Sequence, residues 1–125
     1  MRLSKKELAA MVCMAAAMAQ ADGKVEDDEV MAVVADLEGY GHSEEEIAEI
    51  VEMAEDMEPS DAVGLVSKLG DEEKEYVTAF LAVVMVADGD IDDEEVAFWN
   101  LMTILCDLPE MTVKEAVDLW KRYNS

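Results

Sequence analysis

Residues 21–30 read Ala21-Asp-Gly-Lys-Val-Glu-Asp-Asp-Glu-Val30, and residues 87–96 read Ala87-Asp-Gly-Asp-Ile-Asp-Asp-Glu-Glu-Val96, identical at six of ten positions. Self-similarity at a long offset marks a duplicated structural unit. Each copy follows a run that is apolar on every side, Leu8 to Ala19 in the first and Ala79 to Ala87 in the second. A helix that is apolar all round has to be enclosed by its neighbours. Each copy also precedes another apolar-rich helical stretch. The repeating unit is therefore helix, acidic loop, helix, and its two entering helices form the hub of a small bundle.

Helix-start signals extend this reading outward. Ser4-Lys-Lys-Glu7, Ser43-Glu-Glu-Glu46 and Thr112-Val-Lys-Glu115 have the spacing of a capping box, in which the first and fourth residues satisfy each other's backbone donors. Ser60-Asp61 after Pro59 and Asp71 after Gly70 mark two more starts. With the helices that follow the two acidic loops, these signals predict seven helices. From Glu44 to Met57 the residues Ile47, Ile50, Val51 and Ala54 keep a 3.6-residue period, with Glu45, Glu49, Glu52 and Glu55 on the other faces, so this helix lies on the outside. Gly39-Tyr40-Gly41-His42 reads as a helix stop and turn. No run alternates strictly enough to make a strand, and the connections are short. The expected fold is an all-α bundle, one domain over residues 1–125, with repeat copies spanning roughly 4–58 and 71–123.

Composition narrows the function. Apolar residues make up 52% of the 125-residue chain, enough for a core, while 31 Asp and Glu against 9 Lys and Arg leave a net charge of −22. Phosphate backbones and anionic headgroups need basic surfaces, so nucleic acid and peripheral membrane binding are disfavoured. Cations and basic protein partners remain. Such a charge density repels itself in the compact state, so anything that screens or chelates it should stabilise the fold. No stretch reaches the ~20 apolar residues that span a bilayer. Arg2, Lys5 and Lys6 precede twelve apolar residues that end in Ala17-Met18-Ala19, which has the grammar of a secretion signal. Glu7 interrupts the basic region, and a cut after Ala19 would delete the entering helix of the first copy. The segment is therefore expected to be part of the fold. Cys13 and Cys106 lie in apolar helical stretches that suit buried, reduced thiols, and the expected compartment is the cytoplasm.

Within each copy, Asp-Gly-x-(Val/Ile)-x-x-x-Glu matches the second half of a calcium-binding EF-hand loop, where glycine makes the sharp turn and glutamate chelates last. The two earlier ligand positions fall on Met18 and Gln20 in one copy and on Val84 and Val86 in the other. Neither loop alone can supply the about six to eight oxygens of a calcium site. Two half-loops facing each other would bring Asp22, Glu29, Asp88 and Glu95 near one point, with Glu26 and Asp92 assisting directly or through water. That set suits one hard divalent cation: calcium, magnesium or manganese. Zinc would prefer nitrogen or sulfur. In a competing arrangement Val25 and Ile91 pair their backbones and leave two separate half-sites. Capping alone also accounts for part of the pattern, since Asp92 can cap the next helix and Glu29 and Glu95 can favour its N-terminal dipole. Cation binding is preferred here because so many carboxylates crowd one turn with only Lys24 nearby.

At these residues the sequence resembles the TerB-like family of tellurite-resistance and stress-response proteins, whose members carry two Ala-Asp-Gly-x-(hydrophobic)-x-x-x-Glu motifs in a duplicated all-helical fold. The likeness covers nearly the whole chain. The resemblance implies a metal-chelating constellation on Asp22, Glu29, Asp88 and Glu95, and participation in a membrane-associated bacterial stress complex. Similar domains also occur joined to DnaJ-type chaperone modules. This chain departs from symmetry at Lys24, which stands where the second copy has Asp90 and makes the first half-site less negative.

Other residues have plainer readings. His42, the single histidine, sits in a turn and suits a capping or solvent-facing role. Nothing isolates one carboxylate for acid–base work, so a non-enzyme is expected, and a metal-dependent hydrolase ranks last. Met11, Met14 and Met18 form a stripe that serves either core filling or an adaptable peptide groove, with core filling preferred. Phe98, Trp99 and Trp120 are assigned to the core, with Trp120 beside Lys121 and Arg122 an interface candidate if partly exposed. The leading expectation is a cation-binding interaction module. Its alternative is a metal-free acidic adaptor or co-chaperone-like domain that docks basic partners.

Overall fold

The computed structural model describes residues 3–19, 38, 41–86 and 93–123. These contain six helices: α1 (Lys5–Ala19), α2 (Glu44–Asp56), α3 (Pro59–Ser67), α4 (Asp71–Met85), α5 (Asp93–Leu105) and α6 (Val113–Tyr123). Among the described residues there is no strand, and the all-α expectation holds. Of the helix expected after the first acidic loop only Glu38, which is helical, is described, and both Asp-Gly turns lie outside the described residues.

Local chemistry sets the helix starts. Ser4 N–H donates to Glu7 Oε1 at 2.8 Å while Glu7 N–H donates to Ser4 Oγ at 3.1 Å. The same reciprocal pair links Ser43 and Glu46 at 3.1 and 3.3 Å, and Thr112 and Glu115 at 2.9 and 3.1 Å. All three capping boxes therefore form where their spacing places them. Two other starts differ from expectation by a residue or two. α3 begins at Pro59 with Glu58 as its N-cap, and α4 begins at Asp71 with Gly70 as its N-cap, neither cap using its side chain. Proline takes the first helical position because its missing N–H would have no partner there, so Ser60 lies inside the helix and does not cap it.

α1 packs against α2, α3, α4 and α5, and α4 packs against α6, α5 and α1. α1 and α4 therefore form the hub, with α2 packed on α1 and both α5 and α6 packed on α4. α3, which joins the copies, lies mainly along α1. Leu8, Met11, Met14 and Met18 of α1 and Phe80, Leu81 and Met85 of α4 are fully buried. The methionine stripe is core, filling gaps that the neighbouring alanines leave. α5 is held to α4 by Trp99, whose Nε1–H donates to the Thr78 carbonyl at 3.4 Å. α6 is held by Trp120, whose ring centroid lies 5.5 Å from Tyr76 and 6.0 Å from Phe80. Trp120 is thus an internal anchor of α6, and its half-exposed edge is what remains of the interface reading.

Both cysteines are free and buried, with Cys13 Sγ 3.6 Å from the Met57 carbonyl and Cys106 Sγ 3.8 Å from that of Val63. Burial pushes both thiols above their ordinary pKa. The negative charges of Glu58 and Asp61 add to the rise at Cys13, and Lys74 offsets part of it at Cys106. Among the described residues no helix is long and apolar enough to cross a membrane.

Candidate acidic site

The second acidic repeat leads directly into α5, whose first turn is Asp93, Glu94 and Glu95. Asp93 and Glu94 are exposed, while Glu95 is only 2% exposed. The helical period explains the difference. Glu95 heads the stripe Glu95, Trp99, Met102 that α5 turns inward, and the other two members are also buried. Removing a carboxylate from water costs free energy unless hydrogen bonds, a helix N-terminus or a cation compensates. Glu95 is also the last-ligand position of the second half-loop, so its placement and its oxygen chemistry fit a hard cation.

The other candidate ligands, Asp22, Glu26, Glu29, Asp88 and Asp92, lie outside the described residues, as do Lys24, Val25, Asp90 and Ile91. Among the described residues no cluster of three or more His, Cys, Asp or Glu side chains could hold a metal ion. Of the positions where a complete EF-hand would need its first ligands, Met18 and Val84 are buried in the core and Val86 is half-buried, while Gln20 lies outside the described residues.

Elsewhere the charged groups serve the framework. His42 Nδ1 lies 3.4 Å from Glu46 Oε2, one helical turn away. The Ser43 N–H, chiefly, and His42 hold the Glu46 carboxyl below its ordinary pKa, and the Thr112 N–H does the same for Glu115. Lys5 Nζ reaches Glu49 Oε2 at 3.1 Å and ties α1 to α2. An open groove of about 600 Å3 beside α3 is lined by Lys6, Asp56, Asp61 and Lys68, whose charges balance over an apolar floor.

Two features were missed in the sequence. Lys74 is buried, its Nζ 3.9 Å from Asp107 Oδ2, and Asp107 adopts a left-handed φ of 53° just past α5. The signal for Lys74 is its register with Thr78 and Leu81 on the buried side of α4, where a long aliphatic stem can lie along apolar surface. The other is the outward face of α5, where Leu101, Ile104 and Leu105 are exposed.

The comparisons with known proteins agree with this architecture. No curated protein matches the sequence. A crystal structure of a protein of unknown function from Porphyromonas gingivalis is 38% identical, superposes with a TM-score of 0.86, and is matched over 97% of this chain and 92% of that one. The pattern of the family described as tellurite resistance protein TerB matches residues 8–118, covering most of α1, all of α4 and both acidic repeats. With so much of the chain inside that pattern and its helices in a matching fold, the protein belongs to the TerB family.

Proposed function

We propose that this TerB-family protein binds one divalent cation through its duplicated acidic turns and serves in the cytoplasm as a metal-responsive interaction module in a bacterial stress response. The observation that carries the reading is Glu95: a carboxylate 2% exposed at the head of α5, where the repeat puts its last ligand. Asp22, Glu29 and Asp88 are its proposed co-ligands, with Glu26 and Asp92 in support. All are hard oxygen donors suited to calcium, magnesium or manganese. Calorimetric titration of chelator-treated protein with each ion tests this. Saturable heat is expected, together with a thermal-stability gain of about 2.7 kcal/mol at a hundredfold excess over Kd. Asp22→Asn plus Asp88→Asn, or Glu95→Gln, should remove both. Absence of saturable heat with all three ions overturns the reading.

The second reading is a metal-free acidic adaptor, favoured by the exposed Glu45, Glu49, Glu52 and Glu55 along α2. Ionic strength separates the two: an adaptor loses partner affinity steeply with salt and responds alike to divalent and matched monovalent salts.

A further inference from the structure

The outward face of α5 breaks the rule that the other outer helices follow. Leu101 is 49% exposed, Ile104 76% and Leu105 51%, and all three fall with Ala97 on one side of the helix. The buried stripe of Glu95, Trp99 and Met102 lies opposite, so packing against α1 and α4 does not require aliphatic residues on the outside. The chain itself supplies the contrast. Glu38, at the same offset from its acidic repeat as Ile104 is from the second, is helical, exposed and charged. α2 carries glutamates along its whole outer side.

We propose that this face of α5 is a docking surface for an amphipathic helix from a protein partner, one whose apolar stripe is flanked by lysine and arginine. Charge identifies the occupant. No Lys or Arg occurs between Lys74 and Lys114. Exposed Asp93 and Glu94 precede the aliphatic residues, and Asp107, 98% exposed and 3.9 Å from Lys74 Nζ, follows them together with exposed Glu110. A basic segment therefore finds an apolar strip with carboxylates at both ends, against which the apolar face of an amphipathic helix can pack. The strip from Ala97 to Leu105 is ~12 Å long, which matches two to three turns of a partner helix. A second copy of this chain fits poorly, because each brings a net charge of −22 and the same carboxylates at both ends of the strip. Anionic vesicles meet the same repulsion.

The probe is a fluorescein-labelled synthetic helix of Leu and Lys with leucines at i, i+3, i+4 and i+7, read by anisotropy at physiological salt, beside a control peptide with serine for leucine. Leu101→Ser plus Ile104→Ser leaves the net charge unchanged and should weaken the Leu/Lys peptide about tenfold or more, because the apolar anchors carry such interfaces. Glu52→Gln plus Glu55→Gln on α2 should change it less than about threefold, as expected for distant rim charges. A photo-crosslinker at Ile104 should capture the peptide, a readout that does not depend on the serine variant folding. Three results overturn the proposal: equal binding of the serine variant, equal binding of the serine peptide, or a concentration-dependent dimer that the serine variant abolishes. The last would make a second copy the occupant.

Discussion

α2 and α5 are both thirteen-residue outer helices that bury an apolar stripe, and they differ in what else they bury and expose. α2 buries Ile47, Ile50 and Ala54 and shows solvent its glutamates, whereas α5 hides the carboxylate of Glu95 and shows solvent Leu101, Ile104 and Leu105. α2 is what stability alone would select: an apolar stripe inward and charge outward. α5 departs from that at both ends, with a buried acid just after the second acidic turn and exposed aliphatics at the other end. Local rules are broken most often where function requires it, so the departures of α5 are where the proposed cation binding and docking are placed.

Substitutions can break or sharpen this contrast, and the largest effect belongs to the inward side of α2. Ile50→Ala empties a fully buried site and should cost ~2–5 kcal/mol in urea unfolding. A loss below about 1 kcal/mol would mean that α2 is not held by its apolar stripe. Trp120→Ala removes the ring that joins α6 to Tyr76 and Phe80, and because Trp120 is half-buried a loss of about 2–3 kcal/mol is expected from the same measurement.

Next in size is the cap of α2, where Ser43→Ala should cost ~1 kcal/mol. The pH dependence of that cap has a definite sign. The Glu46 carboxyl is held below its ordinary value in the folded protein, so its contribution is complete above the unfolded carboxylate pKa and disappears as pH falls through the lowered one. Thermal melts between neutral and acidic pH should show Glu46→Gln losing less stability on acidification than the parent. A parallel loss in both proteins would refute the assignment. The smallest effect belongs to the outward side of α5: Leu101→Ser plus Ile104→Ser should leave stability within ~0.5 kcal/mol, the mark of side chains that serve something other than folding.

Most of the framework could be read from the chain because its signals are local. Ser4 with Glu7, Ser43 with Glu46 and Thr112 with Glu115 carry their own geometry, and the uninterrupted apolar runs of α1 and α4 leave no option but enclosure. Pro59 and Gly70 were harder, since cap positions that use no side chain leave only a proline preference or a glycine to read. Tertiary facts were harder still. The aromatic trio of Tyr76, Phe80 and Trp120 joins residues from two helices, and no period within either one announces it. The exposed aliphatic face of α5 was hidden for a related reason: Val96, Phe98, Trp99, Leu101, Met102, Ile104 and Leu105 are apolar on several sides, so spacing alone could not say which of them face water. Of the acidic site, Glu95 emerges as buried, which its charge would not suggest and its register with Trp99 and Met102 does.

Cys13 and Cys106 differ as built-in clocks for the bundle. Each sulfur rests against a carbonyl at one end or in the middle of the α2–α3 segment, Met57 for one and Val63 for the other. Thiolate is the form that alkylates, and burial suppresses both its population and its contact with reagent. Iodoacetamide labelling of Cys106, which is fully buried, therefore requires opening of the surrounding helices, whereas Cys13, 6% exposed beside an open groove, has a shorter way to reagent. Cys106 labelling, read by mass spectrometry and compared with global unfolding, would show whether its surroundings open alone or only with the whole bundle.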